Sequence, residues 1–384
     1  MKNILIIHRY FWPENISNTP LMLADIVDYH ILKNDNIHIC CGSINDFKKE
    51  RDIRFNGNIS IISFRSNIDR NLIIFKRIIN IFRLLNISLK TINKNNLDII
   101  YIISYPPFLS IFILFFKDFL KKKYNIIFLL QDNFSYRFKF PLLKKIYNYC
   151  LQKTILKSLF TVVISEAMRD YILKNNNNQN SLNNKMHLLR NYNIDPIVKE
   201  IPNKEIDIIY AGNHGKAQNL YYFLKSLTCL SDMKLRIDFY GEGQEKQRLI
   251  KFATNSNLNI NFYESIQRKE ILKEISKSKF SLIPTSPELL NYGYPSKLLT
   301  YLAAGSTPLF ILDKPFYEIK WLMKNKLALI LPQSNYLELA SKLKYYLNNY
   351  SLDKKLINHK LLSNALLTKE IYFKEFDRIY RKFT

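Results

Sequence analysis

Short runs of Ile, Val and Leu recur along the whole sequence, each followed by a stretch with helical periodicity. Strands buried on both faces read as continuous apolar runs, and regular strand–helix alternation builds a parallel sheet covered by helices. In the first half this pattern predicts strands at Asn3–Ile7, Asn36–Cys41, Ile59–Phe64, Asp98–Ser104, Asn125–Gln131 and Thr161–Ser165. Helices are predicted at Thr19–Leu32, Arg70–Lys94, Phe108–Lys122 and Leu142–Ser158, and the Asn-rich run Lys174–Lys185 reads as a surface excursion. After Asn193-Ile-Asp-Pro196 the alternation restarts. Strands are predicted at Asp207–Ala211, Leu235–Tyr240, Asn259–Phe262, Phe280–Pro284 and Pro308–Leu312. Helices fall at Gln218–Leu230, Gln244–Asn255, Lys269–Lys277 and Ser296–Ala304, before a mostly helical tail from Tyr336 to Thr384. A chain of 384 residues accommodates two such domains. The expectation is an α/β protein of two doubly wound domains, residues 1–195 and 203–365, with a central cleft and a last segment 366–384. Ligands of such sheets sit outside the carboxyl ends of the strands.

Composition narrows the class. Apolar residues are 47% and charged residues 23%, which excludes global disorder. The four cysteines include the adjacent pair Cys40-Cys41 and form no CxxC, which reads as a reducing compartment without a structural zinc site. The six histidines are scattered, and no spacing supports a catalytic metal. Met1–His8 is not a signal peptide, because its apolar run is short and no cleavage site follows. The expected location is therefore the cytoplasm or the cytoplasmic face of a membrane. Leu97–Phe116 is long enough to span a bilayer, but Asp98 and Pro106-Pro107 break it into a strand, a turn and a helix start.

Three segments carry chemistry. In Ile208-Ile-Tyr-Ala-Gly-Asn-His-Gly-Lys-Ala-Gln218 a strand ends, Gly212 and Gly215 permit a tight turn, and a helix is expected to begin. Helix N-terminal amides favour a phosphate there, and Lys216 adds charge. The segment is neither GxGxxG nor Walker A, so dinucleotide and P-loop chemistry are not indicated. Phe239-Tyr-Gly-Glu-Gly-Gln-Glu245 repeats the strand-to-glycine-turn pattern with Gly241 and Gly243. In Tyr292-Gly-Tyr-Pro-Ser-Lys-Leu-Leu-Thr-Tyr-Leu-Ala-Ala-Gly305, Pro295 suits a first helical turn, and Ser296 and Lys297 lie at a helix start. Lys297 is a natural diphosphate partner as a point charge. Taken singly, each segment is also an ordinary turn or a capped surface helix.

Together, in this order and spacing, the three segments resemble the C-terminal domain of glycosyltransferase family 4, retaining nucleotide-sugar-dependent enzymes of the two-domain GT-B fold. Ile4–Glu14 is similar to the family's opening strand and acceptor-side loop. Leu129-Leu-Gln-Asp-Asn133 resembles a mid-domain strand end that carries an Asp in bacterial surface-polysaccharide (O-antigen, capsule) members. Val162–Met168 resembles the unit closing the first domain, and Tyr372–Phe383 the terminal helix that returns to it. The resemblance implies that Gly212, Asn213 and Gly215 line the donor diphosphate and Lys297, beside Ser296, contacts the phosphates. It also implies that Gly241–Gly243 shapes the wall near the nucleotide and that the backbone near Ser265 and Ile266 meets the base. The implied donor is a UDP-sugar, with guanosine an alternative carrier, and no metal is expected. The implied acceptor is a lipid-linked oligosaccharide, with Asp132 and Glu14 as candidate catalytic residues orienting its hydroxyls. Asp132 also suits a cap, and Glu14 a solvated surface. The sequence departs from the family at Thr300, where a ribose-holding Glu is common, and at Asn213 and Gln218, where Arg and Lys are common. The opening loop carries Trp12, Pro13 and Glu14 in place of the usual glycines.

The charge is uneven. Lys and Arg number 57 against 32 Asp and Glu, and Arg70–Lys157 alone holds 16 basic and 3 acidic residues. On a helical projection Lys76, Arg83, Lys90 and Lys94 form a stripe. Ile74, Ile78, Ile81, Leu85, Leu89 and Ile92 form the expected core face, leaving Ile73, Ile79, Leu84 and Ile87 outside it. Lys121-Lys-Lys123, Arg137, Lys139, Lys144 and Lys145 add charge among Phe134, Tyr136, Phe138 and Phe140. An anionic membrane surface suits this pattern; a solvated lysine-rich surface is the plain alternative. Two further readings stand beside the enzyme. One is a catalytically silent homologue acting as a partner subunit, motivated by Thr300. The other is a basic nucleic-acid-binding protein, for which no recognised motif is present.

Overall fold

The computed structural model describes residues 1–13, 18–43, 54–65, 74–119, 122–198, 202–285, 291–315, 317–350 and 368–384. Glu14, the stretch 70–73 and Lys121 lie outside the described residues, as do the side chains of Ile74, Lys76 and Arg137. The chain divides into two units. The first is Met1–Arg190 with Asn291–Tyr294 and Phe373–Thr384, and the second is Asn191–Leu290 with Pro295–Tyr372.

The first unit is built on a seven-stranded sheet in the order β3-β2-β1-β4-β5-β6-β7. Its strands are β1 (Asn3–Tyr10), β2 (Asn36–Ser43), β3 (Ile59–Arg65), β4 (Ile99–Ile103), β5 (Asn125–Leu130), β6 (Phe160–Val163) and β7 (Met186–Leu188). Every pairing is parallel. β1 and β4 register Ile4 against Ile99 and mark the point where strand order reverses. All five β4 residues are buried, which is why its sequence reads Ile-Ile-Tyr-Ile-Ile. The Leu97–Phe116 stretch is β4, a turn and the helix Leu109–Phe119, as its Pro pair dictates. Among the described residues no helix is long and apolar enough to cross a membrane.

Two local expectations need correction. The run Lys174–Lys185 is not simply a surface excursion: Gln179–Lys185 is a helix that buries Leu182 and leads into β7. On the helix Ile74–Lys94, Leu84 is buried while Ile78 is 43% exposed, the reverse of the projected faces. The buried arc includes Ser88 and Thr91, which the apolar pattern could not mark. Each hydroxyl donates to the carbonyl four residues back, Leu84 and Ile87, and so enters the core without an unmet polar group. Arg83, Lys90 and Lys94 are exposed as expected.

The helix Lys369–Phe383 contributes to the first unit from Phe373 onward. Phe376 is fully buried, with its ring against Tyr29, Tyr101 and Phe160. Asp377 accepts from the Tyr29 hydroxyl at 2.5 Å and pairs with Lys33 at 3.0 Å.

The second unit carries a six-stranded sheet in the order β10-β9-β8-β11-β12-β13. The strands are β8 (Ile206–Ala211), β9 (Ile237–Tyr240), β10 (Ile260–Tyr263), β11 (Ser278–Pro284), β12 (Thr307–Ile311) and β13 (Leu329–Leu331), all parallel. The order reverses between β8 and β11, so the carboxyl end of β8 stands at the switch point. β13 and the preceding helix Tyr317–Lys324 were not expected. The signal for β13 was present, as the apolar run Leu327-Ala-Leu-Ile-Leu331 ahead of Pro332.

Candidate active site

Gly212 follows the last residue of β8, at the switch point of the second sheet. The two glycine turns lie backbone against backbone. The Gly212 N–H donates to the Tyr240 carbonyl at 2.8 Å and the His214 N–H to the Glu242 carbonyl at 2.8 Å. The Glu245 N–H returns to the His214 carbonyl at 2.9 Å. Gly241 has φ +136°, and a Cβ there would stand 2.0 Å from the Gly212 carbonyl oxygen. Only glycine permits this approach. The second turn therefore holds the first, and the amides of Gly212 and His214 are consumed in doing so. Those of Asn213, Gly215 and Lys216 take no partner among the described residues, and they are the donors left for an anion.

The helix expected at Gln218 starts later. Lys216–Gln218 is a 3-10 turn, Asn219 is left-handed at φ 43°, and the α-helix runs over Leu220–Leu227. The glycine loop thus does not abut an α-helical N-terminus, and the groups it offers an anion are loop amides and Lys297.

Lys297 begins the helix Lys297–Ala303. Its Nζ donates to the Tyr210 hydroxyl at 3.0 Å and lies 4.1 Å from the centre of that ring. Tyr210 in turn donates to the Asn213 carbonyl at 2.7 Å. A Cβ on Gly212 would stand 2.1 Å from Nζ, so the missing side chain of Gly212 is the space the lysine occupies. Burial pushes the Lys297 pKa down to about 7, and among the described residues no carboxylate pairs with it. An anion placed here would restore the charged amine. Ser296 is exposed and makes no side-chain cap.

One turn on, the Thr300 hydroxyl donates to Asp195 Oδ2 at 2.8 Å. Asp195 is buried and bound twice by Arg268, Nε to Oδ1 at 2.5 Å and a terminal nitrogen to Oδ2 at 3.0 Å. Ser265 and Ile266 are exposed in the loop between β10 and the helix Arg268–Ser276. The structure thus unites Gly212, Asn213, Gly215, Gly241, Gly243 and Lys297. Thr300 joins Asp195 and Arg268, a link that sequence reading missed because the three residues are far apart along the chain. Tyr210 was missed too, being read only as part of an apolar strand. His214 fills the loop's interior, with its ring stacked on Tyr210 at 5.6 Å and against Phe239. Neither ring nitrogen has a partner among the described residues, and burial lowers its pKa to about 4, so it is neutral packing.

In the first unit Asp132 is exposed two residues beyond β5, and its N–H donates to Ser104 Oγ at 3.1 Å. Tyr292 joins this region: its carbonyl accepts from the Asn133 N–H at 2.7 Å, and its ring meets Tyr136 at 5.1 Å. The segment Tyr292–Gly305 is therefore shared, its first three residues in one unit and Pro295 onward in the other. At the end of β1, Arg9 donates to the Tyr105 hydroxyl at 2.8 Å. Among the described residues no cluster of His, Cys, Asp and Glu is placed to hold a metal ion.

Residues 192–360 match the family described as Glycosyl transferases group 1. No curated protein sequence matches the chain. Solved structures share the fold over the full length at low identity. Sucrose-phosphate synthase from Thermosynechococcus elongatus has a TM-score of 0.76 at 11% identity, covering 100% of this chain and 99% of its own. TarM from S. aureus, solved with UDP, has 0.66 at 11%, covering 99% and 100%. A lipopolysaccharide outer core galactosyltransferase has 0.66 at 11%, covering 100% and 99%.

Proposed function

We propose that this chain, a glycosyltransferase of the GT-B fold, is a family 4 type enzyme that moves a sugar from a UDP-sugar to a lipid-linked oligosaccharide with retained configuration. The observation that carries the donor side is the packing of the Lys297 amine into the space left by Gly212, beside loop amides that have no partner among the described residues. A donor diphosphate at that place would accept from Asn213, Gly215 and Lys216 and recharge Lys297. The charge that develops on the leaving diphosphate is then met by groups already oriented, which is electrostatic preorganisation. The Arg268–Asp195–Thr300 link belongs to the nucleoside end of this reading. Thr300 there is a fixed hydroxyl held to a buried carboxylate in place of a charged ribose ligand.

UDP is supported by the UDP bound in the TarM structure, and surface-polysaccharide synthesis by the lipopolysaccharide galactosyltransferase. Asp132, exposed at the β5 carboxyl end, orients the acceptor hydroxyl in this reading. The reaction belongs to a peripheral enzyme on the inner face of the cytoplasmic membrane. Incubation with α-linked UDP-sugars and a membrane extract carrying lipid-linked oligosaccharides tests it, with the new linkage read by NMR. An α-linked product is expected; a β-linked product contradicts retention, and transfer from a GDP-sugar alone contradicts the donor.

A further inference from the structure

The helices Leu109–Phe119 and Pro141–Lys157 pack side by side on the first unit's sheet, with Ser110 Oγ and Thr154 Oγ1 3.0 Å apart between them. Both run antiparallel to the strands, so Pro141 starts at the edge where β5 ends. This outward face is apolar. Phe140 and Leu142 are about 70% exposed, and Leu143, Ile146 and Tyr149 continue the surface along the second helix. On the first helix Phe115 and Phe119 are exposed and stacked on each other with centroids 6.1 Å apart. Isolated exposed apolar side chains need no explanation, but a row of them along one helix, as at Leu142, Leu143, Ile146 and Tyr149, marks a contact surface.

Charge identifies the occupant. Residues 133–157 contain six Lys or Arg and no Asp or Glu. Lys139 and Lys145 are exposed among the apolar side chains. On the neighbouring helix Asp118 pairs with Lys157 and leaves the cationic rim unopposed. A second copy meeting this face with its own would set lysine against lysine. An acidic protein could match the lysines, but an exposed Phe, Leu and Ile surface ringed by cations matches the layered chemistry of a lipid interface more closely. Apolar groups enter the acyl boundary while ammonium groups stay among anionic headgroups.

We propose that the helices Leu109–Phe119 and Pro141–Lys157 form an anionic-membrane docking face, with Phe140 and Leu142 as its leading apolar contacts. It deepens the reading of a lipid-linked acceptor, because Phe140 lies eight residues from Asp132 at the same end of β5. Docking there brings the lipid surface to the acceptor side of the unit.

Flotation of the full chain with vesicles tests this in the absence of donor and acceptor, so its outcome is independent of the transferase reading. Vesicles of equal phosphatidylglycerol and phosphatidylcholine are compared with phosphatidylcholine alone. Wild type is expected to bind the anionic vesicles about tenfold or more tightly. Phe140→Ser with Leu142→Ser, and separately Lys139→Glu with Lys145→Glu, are each expected to lose about tenfold. All four side chains are exposed, so the melting temperature stays at the wild-type value. Equal binding to both vesicle types overturns the proposal, as does unchanged binding by the serine pair. A wild-type dimer that the serine pair dissociates, without vesicle binding, assigns the face to a second copy and also overturns it.

Discussion

Lys297 is held in a position that costs it charge. With burial holding its pKa near 7, the amine is protonated only in part at neutral pH. A bound diphosphate favours the charged form and raises that pKa, so donor binding takes up a proton. Nucleotide affinity is then expected to be flat below about pH 7 and to fall by as much as about tenfold per pH unit above it. Calorimetric titration across pH 6 to 9 in buffers of different ionisation enthalpy reads both the decline and the proton uptake. Thr300 makes a narrower prediction. Thr300→Val removes one hydrogen bond to Asp195 but leaves both Arg268 contacts, so stability drops by only about 1 kcal/mol. Denaturant unfolding measures it, and a loss several times larger would mean the hydroxyl holds more than Asp195.

At the scale of elements, the Gly212 loop is set by a neighbouring turn and not by the helix after it. Gly241→Ala places a methyl group in the space of the Gly212 carbonyl and asks a side chain to adopt φ +136°. A loss of about 2 kcal/mol or more is expected, with weakened nucleotide binding as the loop shifts. Unchanged melting and binding would show that the two turns are not coupled. The glycines were legible in the sequence because two strand-to-glycine turns and a lysine at a helix start recur in one order and spacing, although each alone reads as an ordinary turn. Their mutual contact was not, since it joins residues about 30 apart through backbone atoms that carry no sequence signature. The same limit hid the Asp195–Arg268–Thr300 link. It also reversed Leu84 and Ile78, where buried Ser88 and Thr91 steer the helix face and read as polar.

At the scale of the molecule, each unit has its own sheet and its own aromatic core, and the alternation of apolar runs with helical stretches foretold both sheets. What it left open was strand order, because parallel strands of the same composition do not announce their neighbours. The last helix closes the first unit through Phe376. Phe376→Ala empties a fully buried ring site and is expected to destabilise that unit by about 3 to 5 kcal/mol. Calorimetry then shows the first unit melting earlier, while nucleotide still raises the transition of the second. Equal loss in both transitions would contradict assigning the residue to the first unit's core.

The proposed nucleotide diphosphate site is Lys297 with the Gly212 loop. The most direct measurement is a thermal-shift panel of UDP, GDP, ADP and TDP on wild type and Lys297→Ala. A nucleotide at 100 times its dissociation constant stabilises by about 2.7 kcal/mol. UDP is predicted to raise the wild-type midpoint and to leave that of Lys297→Ala unmoved. A flat panel for wild type, or equal shifts in both proteins, would contradict the site.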